Sequence, residues 1–176
     1  EKLLNFENDS KELFSIVKNF QLMNILEKSL SKNVYFKKLY KKINFNFIKN
    51  YDLIINTAKD NYITTKYFNR KIVKEYNSLA YTTLIKHEKV LNDTATQIFT
   101  KEGPLAFLPI SHNETSIVYS IYKSNRKKES MINELIHYYN FKYKIKKIEK
   151  LKAFELKSFN LRSYYHNNIL AFGDLL

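Results

Sequence analysis

Hydrophobic positions change period along this chain, and each change marks an element. Leu13, Ile16, Val17, Phe20, Met23, Leu26 and Leu30 recur at steps of three and four, which predicts one amphipathic helix running to about Ser31. Asp9-Ser10-Lys11-Glu12 has the spacing of a capping box at its start. From Asn33 the period shortens. Aromatic and β-branched residues in 33–38, 42–48 and 51–56, separated by Lys and Asn, predict a small β-meander. A short helical turn is expected over 64–70.

Two longer strands are predicted over 75–87 and 93–100, followed by a hairpin of 104–110 and 115–122 around Ser111-His112-Asn113-Glu114. In its second arm Ile117, Tyr119 and Ile121 alternate with Val118, Ser120 and Tyr122, so both faces are largely covered and the hairpin belongs to the core sheet. Met131, Ile132, Leu135, Ile136 and Tyr139 predict an amphipathic helix beginning near Lys127. Strands are then expected over 141–147, 152–159 and 168–172, the last running into Gly173-Asp174. No internal repeat or low-complexity linker interrupts this order. The expected class is α/β (α+β), a mixed and largely antiparallel sheet with packed helices.

Glycine and proline are nearly absent, two of each in 176 residues, and three of the four lie in Gly103-Pro104-Leu105-Ala106-Phe107-Leu108-Pro109. Glycine alone enters φ > 0 freely or lets a second backbone approach, so Gly103 and Gly173 are the first places to look for function. With 44% hydrophobic and 15% aromatic residues the chain is not disordered by composition. Its apolar runs fall far short of the roughly 20 residues of a transmembrane helix. Absence of cysteine excludes disulfides, thiolate catalysis and Cys-based zinc sites. The chain begins at Glu1 without a signal-like N-terminus, so it reads as a piece of something longer with the cytoplasm as its default location.

A net charge of +13 attracts phosphate without any code. Yet Arg70, Arg126 and Arg162 are the only arginines, and Lys, Asn, Ile, Tyr and Phe are abundant together, as an A/T-biased coding sequence produces. Arginine is the fork that reads guanine or clamps phosphate, so nucleic acid is not the expected partner. An anionic membrane surface is another target for the same charge. Tyr35-Phe36-Lys37-Lys38-Leu39-Tyr40-Lys41-Lys42 interleaves aromatics and cations as single-strand binders do, and reads better as an edge strand guarded by lysines.

His87, His112, His137 and His166 lack ligand spacing, so no metal site is expected. Neither a Gly-x-Ser-x-Gly elbow nor a phosphate-binding glycine loop is present, which leaves hydrolase and NTPase readings without a starting residue. An apolar strand followed by Gly-Asp is different. At the C-terminal end of a parallel strand the glycine admits a ligand closely, and the carboxylate accepts hydrogen bonds from a polyol or ribose. Taken alone the dipeptide reads first as a simple turn, and it gains weight only in company.

Tyr76-Asn77-Ser78-Leu79-Ala80, Glu88, Ala95, Gln97, Phe99 and the segment from Gly103 to Pro109 together resemble the central part of the ubiquinone-biosynthesis flavin hydroxylases, a branch of the para-hydroxybenzoate hydroxylase class. Phe154-Glu155-Leu156 resembles their Phe-Pro-Leu, Ile16-Val17-Lys18-Asn19 their Ile-Val-Glu-Asn, and Ile169 to Asp174 their strand and Gly-Asp. The chain departs from the family in lacking Gly-x-Gly-x-x-Gly and in carrying Ala58-Lys59 where the family has Asp-Gly. Lys18 replaces a glutamate, and Phe20 stands where arginine is usual.

The resemblance implies an FAD-dependent monooxygenase that takes electrons from NAD(P)H and hydroxylates a prenylated aromatic quinone precursor. It implies contact with other proteins of ubiquinone biosynthesis and a peripheral place at the inner membrane. Under it, 1–74 and 151–176 belong to an FAD-binding domain and 75–150 to the substrate-binding domain. Gln97, Phe99, Phe107 and Pro109 would face substrate, and Gly173 with Asp174 would meet the flavin ribityl chain. No catalytic residue is assigned. Two other readings remain open: a non-catalytic binding or assembly module related to these hydroxylases, and a basic nucleic-acid-binding module.

Overall fold

A computed structural model describes residue 6 and residues 12–41 and 44–175. In chain order its first elements are α1 (Asn19–Ser31), α2 (Phe45–Ile48), β1 (Ile54–Asn56), α3 (Tyr62–Tyr67) and β2 (Lys71–His87). Next come β3 (Thr96–Phe99), β4 (Pro104–Ser111), β5 (Glu114–Tyr122) and α4 (Glu129–Tyr139). The chain closes through β6 (Ile145–Ile148), β7 (Lys152–Leu161), β8 (Tyr165–His166) and β9 (Ile169–Ala171). It divides into two compact units: Glu1–Lys37 with Leu79–Phe154, and Lys38–Ser78 with Glu155–Leu176.

One sheet has the order β3-β4-β5-β2-β6, with β7 also paired to β2, and the other has the order β1-β9-β8. The pairs β3/β4, β4/β5 and β2/β6 are antiparallel. β1 and β9 are parallel, and β8 returns antiparallel to β9. This is the mixed, largely antiparallel α/β class that the sequence predicts.

The core of the first unit follows from strand alternation. Leu105 and Phe107 of β4, Ile117, Tyr119 and Ile121 of β5, and Tyr81 and Ile85 of β2 share one buried face. Ile132 and Ile136, one turn apart on α4, close over it. Tyr81 fixes the start of that helix, since its hydroxyl donates to the Lys127 carbonyl at 3.2 Å and accepts from the Lys127 N–H at 3.0 Å.

Inside this apolar layer runs a chain of polar side chains. The Glu88 carbonyl can only accept, so His87 Nδ1 carries the proton in their 2.8 Å contact. Its Nε2 then accepts from the Thr115 hydroxyl at 3.0 Å, whose oxygen accepts from Asn92 Nδ2 at 2.9 Å. Tyr143 donates to Asn92 Oδ1 at 2.8 Å. Each buried member has a partner, which removes the cost of burying it.

The second unit has a smaller core of Ile48, Ile63, Phe68, Leu161, Ile169, Ala171 and Leu175. Asn77 takes a positive φ of 51° within β2, just before the strand's first-unit residues begin at Leu79. Asparagine tolerates that conformation better than most residues. Asn167, at φ 52°, turns β8 into β9.

Several expectations are corrected. The first helix begins at Asn19, and 12–18 are irregular. Lys18 is extended as its N-cap and pairs with Glu114, and the preceding Ile16-Val17 are β-branched and poor helix formers. The capping residues 9–11 lie outside the described residues. No meander forms among the described residues. Asn33 Oδ1 accepts from the Tyr35 N–H at 2.9 Å, which captures the first segment as a turn. Residues 45–48 make one helical turn, and only Ile54–Asn56 is a strand, paired with the parallel β9 rather than with its neighbours in sequence.

The two glycines are required for different reasons. Gly103 has φ 154°, and a Cβ there would sit 1.9 Å from the Ser120 carbonyl oxygen of β5. Gly173 has φ 64°, but its Cβ would meet only the Thr57 methyl, at an ordinary 3.7 Å. Gly103→Ala is therefore expected to cost roughly 2 kcal/mol or more and Gly173→Ala about 1 kcal/mol in urea unfolding. Equal costs, or the reverse order, would contradict this packing.

Candidate functional site

In the second unit the parallel pair fixes a strand end. Ile54 stands opposite Ile169 and Asn56 opposite Ala171. The Phe172 N–H donates to the Asn56 carbonyl at 3.0 Å, so Thr57 and Gly173 leave the sheet side by side. In sheets of this kind ligands bind beyond the carboxyl ends of parallel strands. Gly173 is exposed in the left-handed region, and Asp174 beside it is exposed. No hydrogen bond or ion pair engages the Asp174 carboxylate among the described residues.

A set of side chains that sequence reasoning missed holds the loop below. Buried Asn56 donates to Thr64 Oγ1 at 2.8 Å and accepts from Asn61 Nδ2 at 2.6 Å. Asn61 Oδ1 caps α3 by accepting from the Thr64 N–H at 2.9 Å, and the Thr64 hydroxyl donates to the Ala58 carbonyl. Asn three residues before Thr at a helix start was the signal that could have revealed the cap. Ala58 thus takes part through its backbone carbonyl, and the Lys59 ammonium lies 5.2 Å from the Phe159 ring centroid.

The first unit carries the other predicted residues and separates them. Gln97 pairs with Ala106 and Phe99 with Pro104, so both project from the sheet face opposite α4, and Phe99 is 77% exposed. The partners of Ala106 and Leu108 across β5 are Val118 and Ser116, which extend that face with small side chains. Phe107 and Pro109 alternate to the other side. Phe107 is completely buried, its ring 5.7 Å from Phe141 and 6.0 Å from Tyr143. It packs the core. Pro109 is half-buried at a register irregularity in β4, where its missing N–H is tolerated.

Glu102, on the turn between β3 and β4, forms an ion pair that the sequence did not signal. Its carboxylate accepts from Lys127 at 2.8–2.9 Å and from the Tyr119 hydroxyl at 3.3 Å. The hydrogen bond from Lys127 holds the Glu102 carboxyl below its usual range and raises Lys127, while burial pushes the Tyr119 phenol up. A cavity of about 240 Å³ lies along α4 between Lys127 and Tyr138 and includes none of the site residues expected from sequence. Among the described residues no group of three or more His, Cys, Asp or Glu could hold a metal ion, and no helix is long and apolar enough to cross a membrane.

No family model matches the sequence, and no curated protein is similar to it by sequence. Solved structures do match its fold. The flavin-dependent brominase Bmp2 is 16% identical, with a TM-score of 0.51 over 70% of this chain and 36% of that one. The flavin-dependent halogenase CmlS is 14% identical, with a TM-score of 0.49 over 70% of this chain and 25% of that one. The tetracycline destructase Tet(51) is 10% identical, with a TM-score of 0.44 over 70% and 38%. The chain thus shares its fold with part of the brominase Bmp2, and it spans about a quarter to two fifths of these proteins.

The brominase Bmp2 is flavin-dependent by name, and the residues present here offer a fit to one part of such a cofactor. A left-handed glycine open to solvent and a carboxylate with no partner among the described residues would suit the hydroxyls of a ribityl chain. For the pyrophosphate the sequence supplies no glycine loop, and α3 is a six-residue helix already capped by Asn61.

The Glu102 pair has a pH signature. A depressed carboxyl contributes stability above its unfolded range and loses it as pH falls through the folded value. The raised Lys127 keeps its part until pH rises through its own elevated value. Thermal unfolding of the wild-type chain should therefore show a drop in midpoint on acidification that is smaller in Glu102→Gln. Parallel curves for the two proteins below neutral pH would sink this assignment.

Proposed function

We propose that this chain carries the substrate-facing sheet and the ribityl-side strand end of an FAD-dependent aromatic hydroxylase of ubiquinone biosynthesis. The observation that supports it most is the end of the β1/β9 pair, where the exposed Gly173 at φ 64° and the adjacent Asp174 follow two parallel strands. Asp174 would accept hydrogen bonds from the polyol, and Gly173 would let it approach the backbone. The flavin, reduced by NAD(P)H, supplies the redox chemistry when bound. On the first unit's open face, Phe99 with Ala106 and Leu108 offers an apolar surface for an aromatic ring, and Gln97 adds one amide. On this reading 75–150 acts as the substrate-binding domain, and 1–74 with 151–176 belongs to the FAD-binding domain. A prenylated quinone precursor is the substrate, and the pathway's other proteins at the inner membrane are the partners.

One observation favours a second reading, a non-catalytic binding or assembly module. The loop after β1 has lost the Asp-Gly of the resembled family and is tied down by Asn56, Asn61 and Thr64 instead. Titrating FAD against the protein and following flavin absorbance separates the two. The hydroxylase reading expects a saturable spectral change, weakened about tenfold or more by Asp174→Ala, as loss of a charge-assisted hydrogen bond does. No spectral change at any concentration would overturn it and leave the second reading.

A further inference from the structure

We propose that Asn61, Asn56 and Thr64 are positioning residues of the strand-end site, holding Thr57 beside Gly173 so that a polyol meets a preformed edge. The inference rests on the flavin reading of that end, on which the ties around Asn56 hold the site rather than replace it. All of its residues belong to the second unit. Among the described residues of that unit Asn56 alone is a buried polar side chain, 3% exposed at the end of β1. Asparagine is a poor strand former, and its amide costs free energy to bury unless paired. An apolar set of the same shape would serve the core as well. What the polar set adds is one fixed arrangement.

A single backbone group sets the direction of every bond in it. The Thr64 N–H can only donate, so the oxygen of the Asn61 amide faces it at 2.9 Å. The Asn61 nitrogen is then left to donate to Asn56 Oδ1 at 2.6 Å, which turns the Asn56 nitrogen to Thr64 Oγ1 at 2.8 Å. With that oxygen accepting, the one hydroxyl proton of Thr64 goes to the Ala58 carbonyl. On the other side of Thr57 the Asn56 carbonyl accepts from the Phe172 N–H at 3.0 Å. Thr57 is thus anchored through both of its neighbours, and its methyl lies 3.7 Å from where a Cβ on Gly173 would be. An edge held in this way loses no further freedom when a ligand arrives.

Thr64→Val, Thr64→Ser and Asn61→Asp test this in the whole chain with FAD as the probe. Valine keeps the shape but frees the Ala58 carbonyl, and serine keeps the hydroxyl. In Asn61→Asp the cap of α3 survives, but a carboxylate oxygen faces Asn56 Oδ1, so the Asn56 amide turns over and draws the Thr64 hydroxyl off Ala58. FAD binding, followed by flavin absorbance, should weaken about three- to tenfold in Thr64→Val and Asn61→Asp, as loss of one hydrogen bond does, and return to wild type in Thr64→Ser. Without FAD, in ¹⁵N-glycine-labelled protein, the Gly173 amide should shift in the two weakened variants while Gly103 keeps its place. A merely structural role would lower the thermal midpoint and leave the Gly173 resonance of the folded protein where it was. Weakened binding with an unmoved Gly173 amide overturns the proposal, as does a serine variant as weak as the valine one. Should Thr64→Val not fold, Asn61→Asp decides alone. A wild-type chain that binds no FAD overturns the flavin reading and this one with it, whereas variants that bind as tightly as wild type overturn this one alone.

Discussion

The parallel pairing of Ile54–Asn56 with Ile169–Ala171 is the constraint on which the candidate site depends. It joins segments more than a hundred residues apart in sequence, with 79–154 of the first unit lying between them in the chain. Three-residue strands do not hold themselves together. They persist because Ile169 and Ala171 are buried with Ile48, Ile63, Phe68 and Leu161, and because β8 adds a further partner through the turn at Asn167. Once the pair forms, the ends of both strands are set. Gly173 and Thr57 become neighbours, and a glycine that local sequence alone would assign to a turn comes to stand at the carboxyl end of a parallel pair.

What the sequence made legible was local. The hairpin of β4 and β5, the apolar stripe of α4 and the strand leading to Gly173 are each written in periodicity over fewer than a dozen residues. The meander failed because strand propensity in 33–41 had no partner among the described residues, and an asparagine side chain offered the backbone a turn instead. Parallel pairing across the chain has no short-range signature. The helix α1 was readable as amphipathic, but periodicity does not say whether an apolar stripe is covered, and here it is not.

The site was legible to a similar depth. Gly103 and Gly173 stood out by rarity, and the structure gives each a separate cause, a close carbonyl for one and a left-handed backbone for the other. Gln97 and Phe99 share an open face because alternation places them there, and the same alternation puts Phe107 in the core. One residue of offset decided the difference, which motif resemblance does not resolve. The polar ties at Asn56, Asn61 and Thr64 and at Glu102 and Lys127 escaped because they join side chains through folded geometry rather than spacing. They show where rigidity was built: the loop beside Gly173 is held by its own side chains, and the turn at Gly103 by an ion pair to the residues preceding α4.

The scarcity of glycine also supplies the most direct test. Selective ¹⁵N-glycine labelling gives a spectrum with two backbone amides, Gly103 and Gly173. If the strand end receives the ribityl chain, adding FAD should move the Gly173 resonance progressively and leave Gly103 in place. A spectrum in which neither moves, or in which Gly103 moves alone, would contradict the account.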